Sequence, residues 1–194
     1  MLAIRQDEGE AGAYPASVVA TILVLSGCSA VGKSTVSELL RMEVDASLHI
    51  PSDVFCRFFD DPFPDPATPE GARRYKYIGA AQAAAATQFA LGGYTVILDG
   101  PISPEGVDGM AEICGRRGVK VHYAVLRTGL DTCLQRSRRR DPVGPADLDA
   151  FKALHSRFAH LAHREGHAID ASGPPEQVAD AVLSAFRSSR LALT

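Results

Sequence analysis

The segment 27–34 reads GCSAVGKS, with two glycines five positions apart and a lysine and a serine directly after the second. Glycines at these places permit a tight turn whose backbone N–H groups point inward, where side chains would block an anion. Lys33 could reach the β- and γ-phosphates of a nucleotide, Ser34 could ligate Mg²⁺, and Thr35 opens a helix whose N-terminus favours the same anion. The predicted nucleotide-binding residues are Gly27, Cys28, Ser29, Ala30, Val31, Gly32, Lys33, Ser34 and Thr35.

Two aspartates follow predicted strands, at the edge where a parallel sheet binds its ligands. Asp53 comes after the apolar segment 47–51, and Asp99 follows the segment 94–98. The carboxyl ends of parallel strands line the ligand crevice, so both carboxylates are expected near the phosphates. Asp53 could accept the proton of an attacking hydroxyl, or could simply cap a helix over 54–59. Asp99 could orient Mg²⁺ or its water shell, hold substrate, or act as a turn residue before Gly-Pro.

Arginines crowd the end of a helix that is predicted over 130–139, at Arg136, Arg138, Arg139 and Arg140. Such side chains over the phosphates would stabilise charge on a transferring group, and Arg136 and Arg140 share one helix face. A run of charge is more often a solvated face. The position after a phosphate-binding loop and a fourth strand favours instead a small lid over about residues 136–147. Arginine also outnumbers lysine 16 to 4, which makes Lys33 stand out.

Strands and helices alternate along the chain. Strands are predicted over 18–26, 47–51, 94–98, 119–126 and 167–170, and helices over 35–42, 70–91, 107–117, 130–139, 148–164 and 176–187. Alternation of this kind predicts an α/β fold with three layers, in which helices flank a five-stranded parallel sheet. We expect one domain over residues 1–194, with a mobile lead-in over 1–16 and an irregular proline-rich loop over 60–69.

The composition excludes several function classes. With 46% hydrophobic and 22% charged residues, the 194-residue chain is typical of a globular domain and not of a collagen or a disordered tail. A net charge of −3 disfavours the coating of nucleic acid or anionic lipid, and the absence of tryptophan disfavours a base-stacking platform. Apolar runs stay short of the ~18 residues of a membrane span, and the first residues are acidic rather than basic. We therefore expect a cytoplasmic protein without a membrane partner.

The cysteines and the late histidines carry no metal motif in their spacing. Cys28, Cys56, Cys114 and Cys133 form no CxxC pair and have no close histidine in sequence, which favours free thiols over a zinc site. His155, His160, His163 and His167 are three to five positions apart, and the surface of a helix is the favoured interpretation. The phenylalanines near Asp53 are open to two interpretations, as core or as the wall of an acceptor pocket: Phe55, Phe58, Phe59 and Phe63.

Taken together, these motifs resemble the small P-loop kinases, which include the polynucleotide 5′-kinase domain, chloramphenicol phosphotransferases and zeta-toxin-like sugar-nucleotide kinases. The resemblance covers about residues 23–158 and rests on GCSAVGKST, SDVF, GGYTVILDG, HYAVL and LQRSRRRD. It implies ATP as donor, Mg²⁺ as cofactor and transfer of the γ-phosphoryl group to a substrate hydroxyl. Asp53 matches the catalytic base of this family, and Arg136 and Arg140 match its lid arginines. With Lys33 of the loop, these are the predicted catalytic residues, and Ser34 and Asp99 are the predicted metal ligands. Residues 171–174 match the segment that closes over adenine.

The sequence indicates the phosphoryl acceptor less directly than it indicates the donor. The 5′-kinase pattern has an arginine three residues after the aspartate, where this chain has Cys56, and the helix is expected to direct the adjacent Arg57 elsewhere. This departure and the acidic balance favour a small-molecule acceptor, such as an antibiotic or a sugar-like or nucleoside-like compound. The alternatives are a polynucleotide 5′-hydroxyl kinase and a nucleotide-binding NTPase switch without an acceptor. A switch needs neither an acceptor base nor a closing lid.

Overall fold

The structure is a computed structural model that describes residues 19–59, 68–140 and 147–193. The predicted lead-in, most of the proline-rich loop with Phe63, and residues 141–146 of the predicted lid lie outside the described residues.

Five parallel strands form one sheet, as predicted. They are β1 (Thr21–Gly27), β2 (Ser47–Pro51), β3 (Thr95–Asp99), β4 (Lys120–Arg127) and β5 (Ala168–Asp170), in the spatial order β2-β3-β1-β4-β5. Every residue of the central β1 is buried, which explains its uninterrupted apolar sequence. Leu25 and Pro51 both pair with Asp99, so the carboxyl ends of β1, β2 and β3 lie level at one rim of the sheet.

Helices flank this sheet and complete the predicted three-layer fold. They are α1 (Lys33–Glu43), α2 (Pro69–Leu91), α3 (Pro104–Gly115), α4 (Leu130–Arg140), α5 (Leu148–Arg157) and α6 (Pro175–Arg187). α1 packs against α6, and α2 packs against α3. α2 and α3 each begin with proline after a capping hydroxyl: the side chain of Thr68 accepts from the N–H of Gly71, and that of Ser103 from Gly106. Among the described residues, no helix is long and apolar enough to span a membrane.

Two helices differ from the sequence expectation. The helix predicted over 148–164 ends at Arg157, because both Phe158 and Leu161 turn into the core and Ala162 takes a left-handed backbone conformation with φ 49°. A 3₁₀-helix, Ala162–His167, follows. The short helix near Asp53 is a 3₁₀-helix over Ser52–Phe58 that contains this aspartate and is preceded by Pro51. The interpretation of Asp53 as a helix cap is therefore wrong.

Candidate active site

The loop between β1 and α1 has the backbone that its glycines predict. Gly27 and Gly32 have φ angles of 137° and 113°, in the region where a side chain is strained. A Cβ at Gly27 would lie 2.5 Å from the carbonyl oxygen of Leu126 on β4. The neighbour that excludes a side chain there is thus the adjacent strand. The loop leads directly into α1, which begins at Lys33, so the positive end of the helix dipole lies at the loop.

The Lys33 ammonium is held at the centre of this loop. Its Nζ donates to the carbonyl oxygens of Gly27 at 3.0 Å and Cys28 at 2.7 Å. Burial lowers the pKa of Lys33, while the neighbouring Asp99 opposes that shift and Arg140 adds to it. Lys33, Asp99 and Arg140 therefore belong to one electrostatic environment.

Ser34 and Asp99 meet at the rim of the sheet. The Ser34 hydroxyl donates to Asp99 Oδ2 at 2.9 Å, and the Asp99 carboxylate is only 4% exposed. A hydroxyl and a buried carboxylate side by side are oxygen donors of the kind that Mg²⁺ prefers, so these two residues fit the predicted metal.

His49 of β2 completes the surroundings of Asp99, and sequence reasoning missed it. Its Nε2 lies 3.2 Å from Asp99 Oδ1, and its Nδ1 lies 3.2 Å from Glu38 Oε1 of α1. These carboxylates, Asp99 first, raise the pKa of His49, although its half-burial acts in the opposite direction. The sequence signal that could have identified His49 is that it is the single ionisable residue in the segment SLHIP, two positions before the strand ends.

The backbone that carries Asp53 is anchored from two sides. A Cβ on Gly100 would lie 1.7 Å from Ser52 Oγ, so the absence of a side chain there lets the 3₁₀-helix approach the end of β3. Gln82 of α2 donates its Nε2 to the carbonyl oxygen of Ser52 at 3.0 Å, inside the core. The Asp53 side chain itself is 62% exposed, and Arg57 Nη2 lies 3.2 Å from its Oδ2. The expectation that the helix directs Arg57 elsewhere is wrong.

A cleft of about 640 Å³ joins the loop to the arginine helix. Its walls include most of the loop and Arg136, Arg139 and Arg140 of α4, whereas Arg138 is exposed outside it. Arg136 Nη1 donates to the carbonyl oxygen of Val31 at 2.9 Å, which ties α4 to the loop. Residues 171–175 form the facing wall. The structure thus brings together the loop, two arginines that sequence analysis singled out and the segment assigned to adenine, in a volume suited to a nucleotide.

The described phenylalanines near Asp53 lie outside the buried core. Phe58 is 72% exposed, Phe59 is 39% exposed, and Phe55 packs edge-on against Phe58 with ring centroids 5.7 Å apart. Arg74 of α2 stacks over the Phe59 ring. These rings form an apolar surface on the 3₁₀-helix that carries Asp53, which favours the acceptor-wall interpretation over the core.

The late histidines do not form a common site. His163 lies 2.8 Å from Asp108 Oδ2 and is exposed, as a helix-surface histidine would be. His167 is instead buried, with its Nδ1 3.0 Å from the carbonyl oxygen of Tyr123, so the surface interpretation is wrong for this residue. None of the four cysteines forms a disulfide bond.

A strand–loop–helix phosphate site on a parallel sheet defines the class of P-loop nucleotide-binding proteins. Within that class, residues 22–161 match the AAA domain family AAA_33, and the chain belongs to this family. No curated protein sequence matches the chain significantly.

Solved structures share the fold at low sequence identity. A sugar kinase from Janibacter sp. HTCC2649 is 20% identical with a TM-score of 0.64, covering 90% of this chain and 98% of its own. The tunicamycin resistance protein of Deinococcus radiodurans is 17% identical with a TM-score of 0.60, covering 90% and 98%. A chain of the Pnkp1/Rnl/Hen1 RNA repair complex is 17% identical with a TM-score of 0.58, covering 76% and 46%. Family and fold confirm the predicted resemblance to the small P-loop kinases.

Proposed function

We propose that this protein is an ATP-dependent phosphotransferase that moves the γ-phosphoryl group to a hydroxyl of a small molecule. The observation that carries this proposal is the arrangement at the sheet rim. The cleft formed by the loop and the arginines of α4 includes Ser34, which bonds to Asp99, and Asp99 pairs with Pro51, the residue that precedes the 3₁₀-helix of Asp53. Phosphoryl transfer needs positioning and charge neutralisation more than covalent chemistry, and these residue types supply both.

In the proposed reaction, Asp53 accepts the proton of the acceptor hydroxyl while that oxygen attacks the γ-phosphorus. The bond between the γ-phosphorus and the β–γ bridging oxygen breaks, and ADP leaves with the bond's electron pair. Lys33 and Arg136 balance the negative charge that is shared by the leaving and the transferring groups. The ion pair with Arg57 orients the Asp53 carboxylate before an acceptor arrives.

Ser34 and Asp99 are the residues proposed to hold Mg²⁺. When bound, this ion neutralises phosphate charge and aligns the donor. His49 and Ser34 keep the Asp99 carboxylate in place at the rim by contacts of 3.2 and 2.9 Å.

A small acceptor with both polar and apolar parts fits the surroundings of Asp53. The exposed ring of Phe58 offers stacking surface, and Asp53 and Arg57 offer hydrogen bonds. The net charge of −3 disfavours a polynucleotide. The named activities of the sugar kinase and of the tunicamycin resistance protein suggest sugar-like and nucleoside-like compounds as the first candidates.

The experiment is a phosphoryl-transfer screen with γ-labelled ATP and Mg²⁺. The panel contains sugars, sugar acids, nucleoside antibiotics and a 5′-hydroxyl oligonucleotide, and the products are separated and identified by mass spectrometry. We expect label in a small-molecule phosphate ester. Label in the oligonucleotide would favour the 5′-kinase alternative. Release of inorganic phosphate at one rate with and without every acceptor would favour the NTPase switch.

A further inference from the structure

Two sulfur atoms and an imidazole from three separate elements converge beside the nucleotide loop. Cys28 is the second residue of the loop, Cys133 lies in α4, and His155 lies in α5. The two Sγ atoms are 3.5 Å apart, and a ring nitrogen of His155 lies within 4.8 Å of both. Across 19–59, 68–140 and 147–193, no other group of Cys, His, Asp and Glu side chains gathers three such atoms. We call these residues the Cys₂His cluster.

One ring nitrogen of the imidazole in this cluster is occupied by a backbone contact. His155 Nε2 lies 2.9 Å from the carbonyl oxygen of Thr128, which can only accept a hydrogen bond. Nε2 is therefore the donor in this contact, which leaves Nδ1 as the ring nitrogen that could ligate an ion. Histidines that bind metals usually donate their other ring N–H to a carbonyl or carboxylate in this way, which fixes both the tautomer and the ring orientation.

The spacing of the sulfurs suits a tetrahedral ion. With metal–sulfur bonds of about 2.3 Å, two thiolates on a tetrahedron stand about 3.8 Å apart, close to the 3.5 Å observed here. Both sulfur residues are buried, whereas His155 is half-exposed and leaves the cluster an entrance.

The charge balance favours a divalent ion. Two thiolates, one neutral imidazole and a divalent cation sum to zero, which suits a buried position. Sulfur and nitrogen ligands select Zn²⁺ over Mg²⁺ or Ca²⁺, which prefer oxygen.

We propose that Cys28, Cys133 and His155 form a Zn²⁺ site, with water in the fourth position. On binding, each thiol gives up its proton to solvent, so one ion replaces two protons and no electron is transferred. The ion would join the first turn of the nucleotide loop to α4 and α5, the two helices that border the predicted lid. This inference does not depend on the phosphotransferase proposal.

Cobalt titration of the reduced, metal-free and nucleotide-free full chain tests the site, because Co²⁺ bound to thiolates has a charge-transfer absorption. We expect one Co²⁺ per chain with this absorption, and its loss when Zn²⁺ is added. Cys133→Ala and His155→Ala should each weaken Co²⁺ binding at least about tenfold. Cys114→Ala removes a buried thiol outside the cluster, and Asp99→Asn removes a proposed Mg²⁺ ligand, so both should bind Co²⁺ as the wild type does.

Several results would overturn the proposal. They are a wild-type titration without the charge-transfer absorption, unchanged affinity in both cluster variants, and an equal loss of affinity in Cys114→Ala. Circular dichroism identifies a variant that has not folded. A second measurement on the wild-type protein needs no variant: its thiols are alkylated with and without Zn²⁺, and the labelled cysteines are identified by mass spectrometry. Zn²⁺ should slow the labelling of Cys28 and Cys133 and leave that of Cys56 unchanged, and equal slowing at all three would contradict the site.

Discussion

Asp53 and Asp99 follow or end neighbouring strands, yet their surroundings suit them to different tasks. Asp99 is 4% exposed and lies between the Ser34 hydroxyl and the His49 ring, which is how a carboxylate that holds a metal is fixed. The Asp53 side chain is 62% exposed and pairs with Arg57, whose side chain is 75% exposed. An accessible carboxylate can meet the hydroxyl of an arriving acceptor, whereas a buried one cannot. The two roles assigned to these residues follow from this difference.

The substitution Asp53→Asn tests the proposed proton acceptor directly. The amide keeps the size of the side chain but cannot accept the hydroxyl proton, so we expect the rate of phosphoryl transfer to fall by at least about 10²-fold. ATP affinity, measured by calorimetry, should stay at the wild-type value. Asp45→Asn, an exposed aspartate in the turn before β2, is the matched control and should transfer at the wild-type rate. A wild-type rate in Asp53→Asn would remove this residue from the mechanism.

At the scale of elements, two contacts hold the active-site parts in place. Arg136 connects α4 to the nucleotide loop through the Val31 carbonyl, and the gap above Gly100 lets the 3₁₀-helix rest on the end of β3. Both contacts join segments that are far apart in the chain. Their loss should therefore affect transfer more than it affects the individual helices.

Arg136→Gln should lower kcat by about 10²-fold or more, with a smaller change in KM. The reason is that a planar guanidinium over the cleft stabilises charge that develops in the transition state. Steady-state kinetics at saturating Mg²⁺ gives both constants. Arg138→Gln is matched, since Arg138 lies on the same helix but outside the cleft, and its kinetics should be unchanged. Equal losses in the two variants would mean that α4 acts through general charge alone.

Gly100→Ala should displace the 3₁₀-helix, because the added Cβ would lie 1.7 Å from Ser52 Oγ. We expect a loss of about 1–3 kcal/mol in the free energy of unfolding and a larger proportional loss of transfer, since Asp53 moves with Ser52. Urea unfolding and the transfer assay measure the two effects. Gly109→Ala, in α3 with nothing within 4 Å of the new Cβ, should keep both properties. Full transfer activity in Gly100→Ala would show that Asp53 needs no such support.

At the scale of the whole molecule, net negative charge surrounds a positively charged cleft. The chain carries a net charge of −3, while Lys33, Arg136, Arg139 and Arg140 face one cavity. This distribution suits a small polyphosphate better than a nucleic-acid chain.

The molecule also buries two imidazoles that do not line that cavity. The rings of His122 and His167 are packed between the sheet and the helices or loops that cover it, and burial lowers the pKa of both below 6.5.

These buried histidines predict a stability that depends on pH. Because folding lowers the pKa of both rings below 6.5, the unfolded chain binds more protons than the folded chain as the pH drops from 6.5 towards those lowered pKa values, and the free energy of unfolding falls over that range. The slope is at most about 1.4 kcal/mol per pH unit for each ring.

Urea unfolding at a series of pH values measures that slope. His122 Nδ1 is buried without a hydrogen-bond partner among the described residues, and its ring packs on Phe186, so His122→Phe should make the slope shallower. His160→Gln changes an exposed histidine and should leave the slope as it is. Equal slopes in the wild type and His122→Phe would contradict a titrating His122.

Sequence reasoning predicted what depends on local patterns. The buried β1 follows from a continuous apolar run, and the nucleotide loop follows from two glycines, a lysine and a serine at fixed spacing. It could not predict contacts between distant segments. Cys28 and Cys133 are 105 positions apart and meet only because β1 and β4 are neighbours in the sheet. The early end of α5 likewise follows from the burial of Phe158 and Leu161, which outweighs local helix preference.

A crystal structure with a non-hydrolysable ATP analogue and Mg²⁺ would locate the reacting phosphate relative to Asp53, which no kinetic measurement can do. We expect the β- and γ-phosphates on the loop N–H groups and Lys33, the metal beside Ser34 and Asp99, and the γ-phosphorus facing Asp53. A γ-phosphate directed away from Asp53, with no space between them for an acceptor hydroxyl, would contradict the proposed transfer.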